Sequence, residues 1–195
     1  MPRYDAALRA ALSGPPAAFL LDAERYELTG SWACLWEHMQ AADPDWRMPL
    51  LWDLLHPEDA DALEDRLADP GDELRLRDVY PVASRLVEQA TGRAWWVAQR
   101  LIVAAVAGWP ELDGALLLRS GVDVAGLMER SPARACSVIY AWLIDGAQRK
   151  EVAKFDAKLK APPLTADLDA EPLWTPHDEG DAFMAAMAAQ RGRRG

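Results

Sequence analysis

Apolar residues recur at helical spacing along most of this chain, and the densest run of them lies at residues 92–109. Within it Val97, Leu101, Ala104 and Ala105 share one face, and Trp96, Ile102 and Val103 widen the stripe to most of the circumference. The pattern predicts a helix over 94–107, too apolar to stand in water, so the other elements must pack around it. Gln99 and Arg100 interrupt the run and leave it too short and too polar at its centre to cross a bilayer.

The flanking patterns are shorter. Residues 3–12 read as a small helix stopped by Ser13-Gly14-Pro15-Pro16. Two apolar runs on either side of Asp22-Ala23-Glu24 predict a small β-hairpin over about 17–29. Trp32, Leu35, Trp36 and Met39 then fall on one helical face, with Ser31 as the cap. Met48–Leu55 forms a short helix with Pro49 in its first turn, and His56-Pro57 starts another that runs to Ala68 with Leu63 and Leu67 inward. Asp69–Asp72 reads as a turn. Asp78 is the expected cap of the helix carrying Val79, Val82, Leu86 and Val87, which Thr91-Gly92 closes.

After the central run come a short helix from Glu111 to Arg119, a turn or short helix over 122–130, and a helix opened by Ser131-Pro132. That helix should lay Val138, Ile139, Trp142 and Leu143 on the central one. A more charged helix, 148–159, follows with Val152, Phe155 and Leu159 inward. The expected fold is mainly α: one helical domain, residues 1–163, of about seven helices around the central one, with the hairpin at its N-terminal edge. From Leu164 the sequence turns to acids, prolines and small residues, which reads as a flexible acidic tail, 164–195, with a weak helix over 181–190.

Composition narrows the function classes. With 195 residues and 51% hydrophobic content, the chain can bury a core without disulfide or metal. A formal charge of −10 argues against nucleic acid as a partner. Cys34 and Cys136 sit in apolar helical patterns and read as buried free thiols. The N-terminus lacks the apolar run of a signal peptide, which points to the cytoplasm.

Candidate chemistry is sparse. None of the nucleotide-binding or nucleophile motifs occurs, so no catalytic residue and no cofactor is assigned. His38, His56 and His177 lack partners at ligand spacing and read as surface or capping residues, so no metal site is assigned. Residues 57–72 hold seven acids and one Arg, the pattern of a solvated face. The tryptophans are many for a core of this size, and of the pair Trp95-Trp96 one ring should be core and the other partly exposed. That surplus hints at a protein-binding surface, for which Trp95 is one candidate. Trp174, Phe183, Met184 and Met187, apolar residues in an otherwise polar tail, are the others.

Three blocks of this sequence resemble the tail assembly chaperones of long-tailed (siphovirus-type) phages and prophages of actinobacteria. They are Leu54–Asp59 with Arg66–Asp72, then Thr91–Trp96, then Val138–Leu143 through Phe155–Leu159 to Pro163. The resemblance covers roughly residues 50–163 and consists of helix, turn and Trp placement. It implies a non-catalytic cytoplasmic protein that binds the tape measure protein, recruits the major tail protein, and is absent from the finished virion. It implies neither a nucleic-acid nor a membrane partner and leaves homo-oligomerisation open. Two other readings remain at this point: a structural component of the particle, such as a head–tail connector or minor tail protein, and a small enzyme or anti-defence protein. The last requires a deep polar pocket with perturbed carboxylates.

Overall fold

In the computed structural model, residues 6–40 and 46–163 are described, and they form ten helices and one two-stranded hairpin. The chain begins with α1 (Ala6–Ser13), then the antiparallel pair β1 (Ala18–Leu21) and β2 (Glu24–Glu27). Next come α2 (Cys34–His38), α3 (Arg47–Leu54), α4 (Pro57–Ala68) and α5 (Leu76–Thr91). The second half is α6 (Trp95–Ala107), α7 (Trp109–Ser120), α8 (Val124–Arg130), α9 (Pro132–Leu143) and α10 (Arg149–Lys160). The protein is mainly helical with a small N-terminal hairpin, as its hydrophobic pattern requires. Among the described residues the helices number ten rather than about seven, since every short flanking segment read from the sequence forms, down to the five-residue α2.

Helix α6 is the centre, packing against α5, α9, α10 and α2. Its buried line is Trp95, Val97, Ala98, Leu101, Ile102 and Ala105. The apolar circumference is less complete than the sequence suggests: Val103 faces solvent and Trp96 is half-buried. Small residues line this contact, since Ala83 and Ala90 of α5 and Ala135 of α9 are buried in the core. On α9 the deepest residues are Ala135, Cys136 and Ile139, while Val138, Trp142 and Leu143 are only half-buried. On α10 Leu159 alone is fully buried.

The hairpin pairs Phe19 with Tyr26, whose rings stack at 5.2 Å. Its two-residue loop needs positive φ at both positions, and Asp22 and Ala23 adopt it at 51° and 65°. Beyond β2 the chain runs onto the end of α3. Thr29 and Gly30 both donate to the Leu54 carbonyl at 2.9 Å, and His56 donates to the Glu27 carbonyl. Gly30 is required there, because a β-carbon would lie 1.8 Å from the Asp53 carbonyl oxygen.

Local chemistry sets the helix ends, not always as expected. Ser31 bonds the Ala33 amide, and α2 starts only at Cys34. Asp78 caps α5 from the third helical position, accepting the amide of Arg75, so the helix begins at Leu76 rather than at Asp78. Ser131 occupies the cap position of α9 with Pro132 behind it, but its hydroxyl makes no cap bond. Gly92 ends α5 in the left-handed region, as read from the sequence. Helices α6 and α7 meet at Gly108 with an 88° bend. Among the described residues no single helix is long and apolar enough to cross a membrane.

Candidate protein-interaction site

Helix α7 is apolar in composition yet contributes only Leu112 to the fully buried core. Trp109 and Leu116 share the side of Leu112 and are half-buried. On the other side Leu117 is 53% exposed and Leu118 is 90% exposed. Gly121 caps the helix by donating to the Leu117 carbonyl, and there an open groove of about 440 Å³ begins. Val122, Leu127 and Val138 supply its apolar lining, and Asp123, Arg130, Arg134 and Ser137 its polar edge. Asp123 is committed to the amide of Gly126, capping α8. Arg130 donates from Nε to the Gly126 carbonyl. The exposed leucines of α7 and the arginine-edged groove that begins where it ends are the candidate interaction surface.

The tryptophans do not form that surface. Trp32, Trp46, Trp52 and Trp95 are buried, and Trp36, Trp96, Trp109 and Trp142 are half-buried. They pack against one another: Trp36 meets Trp109 edge-on at 5.1 Å, and Trp95 meets Trp46 and Trp96, each at 5.7 Å. The Arg47 guanidinium lies 5.1 Å from the Trp46 ring and 4.7 Å from that of Trp95. Trp95, the sequence's partner-binding candidate among the described residues, is therefore packed in the core, and half-buried Trp96 is the more exposed of the pair. Trp46, which follows the Pro44-Asp45 break and belongs to no long apolar pattern, was not legible as its partner. Trp174, Phe183, Met184 and Met187 lie outside the described residues, as does the expected helix over 181–190.

Neither described histidine is a solvated surface residue. His38 is buried on α2, with Nε2 2.6 Å from Asp53 Oδ2 on α3. His56 caps α4, its Nδ1 accepting the amide of Glu58. No group of three or more His, Cys, Asp or Glu side chains could hold a metal ion among the described residues. Cys34, half-buried one turn before His38, has its thiol pushed up to about 12, chiefly by burial and then by the Asp53 charge. Burial does the same to Cys136.

The shifted carboxylates are structural. Asp72 is held down at about 2, first by the hydrogen bond from Arg66 and then by the amide of Leu74. Asp156 is also lowered, chiefly by the Tyr140 hydroxyl, which donates to it at 2.7 Å. Arg66, the single cation of the acidic 57–72 stretch, gathers Asp22 at 3.0 Å, Glu24 at 3.1 Å and Asp72 at 2.8 Å. It thereby ties the tip of the hairpin to α4 and to the turn after it.

No family model, no curated protein and no solved structure matches this chain.

Proposed function

We propose that this protein is a non-catalytic adaptor that holds another polypeptide on the α7 shelf and the adjoining groove. Within that class, it is an assembly chaperone of a long-tailed phage or prophage, acting in the host cytoplasm. It keeps the tape measure protein soluble and recruits the major tail protein. The observation that carries the reading is α7 itself, an apolar helix with Leu118 turned almost wholly to solvent and Leu117 beside it. Paired exposed leucines are a solubility liability, and a binding role accounts for their presence. The resemblance of residues 50–163 to tail assembly chaperones supports the finer identity, with Trp174, Phe183, Met184 and Met187 as further anchors in the tail.

Co-expression with a tagged fragment of a tape measure protein tests it. Retention of the full chain on the tagged fragment is the expected result, with loss of retention in Leu117→Asp/Leu118→Asp. A wild-type chain that is not retained overturns the chaperone reading.

A further inference from the structure

We propose that the groove formed by the α7–α8 connection, α8 and α9 is occupied by the protein's own segment 167–176, anchored by Leu173 and Trp174. Asp167, Asp169 and Glu171 face Arg130 and Arg134. The chemistry of the groove asks for such an occupant. Its lining is apolar at Val122, Leu127 and Val138, and its two arginines are exposed. Neither makes a salt bridge to a carboxylate among the described residues. Two exposed cations beside an apolar floor suit an acidic segment with apolar anchors.

The complementary segment is in the same chain. From Leu164 to Asp181 there are six acids and no Lys or Arg, interspersed with Leu164, Leu168, Leu173 and Trp174. Pro172 and Pro176 bracket the Leu-Trp pair and reduce the entropy lost when it is held.

The root of the segment is fixed close enough to reach. Arg100 of α6 donates to the carbonyls of Lys158, Leu159 and Ala161 at 2.7, 2.9 and 2.6 Å, so the end of α10 is clamped. One turn and a half earlier, Asp156 receives the hydroxyl of Tyr140 on α9. From Tyr140 to Arg134 along α9 is roughly 9 Å at 1.5 Å per residue. Trp174 follows Pro163 by eleven residues, which extend to about 36 Å. A tethered segment also enjoys an effective concentration in the millimolar range, so modest contacts suffice to seat it.

Docking is a property of the isolated chain. It bears on the proposed function in one way only: a partner entering the groove must first displace the segment. Hydrogen exchange on the full chain, alone in dilute solution, tests it. The wild type is compared with Leu173→Asp/Trp174→Asp and with Arg130→Glu/Arg134→Glu, the two arginines being exposed. The expected result is that amides of 168–176 and of Val122–Leu127 exchange about tenfold faster in both variants than in the wild type. Protection of 168–176 in the wild type should be unchanged by dilution. Exchange of 168–176 at the unprotected rate in the wild type overturns the proposal. Protection that fades on dilution overturns it too and assigns the groove to a second copy. A failed pull-down with the tape measure fragment leaves this result intact, and the reverse holds equally.

Discussion

Arg66 donates from Nε to Asp72 at 2.8 Å, and from its other nitrogens it reaches Glu24, Tyr26 and Asp22 of the hairpin. One side chain thus joins elements more than 40 residues apart in the chain. Replacing it with Ala should cost about 1–2 kcal/mol in urea denaturation, more than an ordinary surface ion pair, because several charge-assisted bonds share the guanidinium. Lys should restore only part of this, lacking the planar fork.

The same pair sets a response to acid. The Asp72 carboxyl titrates near 2 in the folded protein, below the roughly 3.9 of an unfolded chain. Its contribution is therefore complete above about pH 4 and is lost as the pH falls through 2. Asp156, lowered in the same direction, adds to the trend. Denaturation between pH 5 and pH 2 should show a decline in stability that Asp72→Asn makes shallower (roughly the window between the two titrations). A decline of equal steepness in that variant would show that the bond does not govern it.

The hairpin turn carries strain that its neighbour does not. Ala23 holds φ at 65°, a region costly for any residue with a β-carbon. Ala23→Gly should raise stability by about 1 kcal/mol. Gly30→Ala acts the other way, since its β-carbon would collide with the Asp53 carbonyl. The expected loss is about 2 kcal/mol or more, read as a lower thermal midpoint.

Much of this fold is legible in the order of residues, because period and punctuation are local properties. Helix α6 is found to within a residue from its apolar run, and the hairpin from two short runs alone. Gly92, His56-Pro57 and Ser131-Pro132 mark real boundaries. What the sequence hides is which apolar side meets a neighbour. Leu112 and Leu118 are equally apolar, yet one is sealed and the other bare, and only the 88° bend at Gly108 decides between them. The same holds for the tryptophans. Their number suggests a surface, whereas the structure spends them on one another, and Trp46 finds Trp95 across about 50 residues of chain. His38 reads as a surface residue because its partner, Asp53, lies on another helix.

Trp95 as a core residue has an energetic signature. Its truncation to Ala should cost about 3–5 kcal/mol, the range for a large buried aromatic. Half-buried Trp96 should cost distinctly less, although its indole N–H donates to the Lys160 carbonyl at 3.3 Å. Chemical denaturation of both variants checks the order. Equal losses would place both rings in the core.

Both cysteines should be silent in the native protein. With each thiol near 12, almost no thiolate exists at pH 8, and that of Cys136 is also sealed from reagent. A chromogenic disulfide reagent should register neither thiol over minutes in buffer and both in denaturant. Rapid reaction of Cys34 in buffer would show that α2 opens.

The role proposed for the bare side of α7 is to hold another polypeptide. Affinity between the full chain and a tape measure fragment, measured for wild type and for Leu117→Asp/Leu118→Asp, tests it most directly. Both side chains are exposed, so the double substitution should change the unfolding free energy by no more than about 1 kcal/mol. The expected result is a complex that forms with the wild type and is weakened at least about a hundredfold by the variant. Equal binding by a folded variant, or no binding by the wild type, would contradict it.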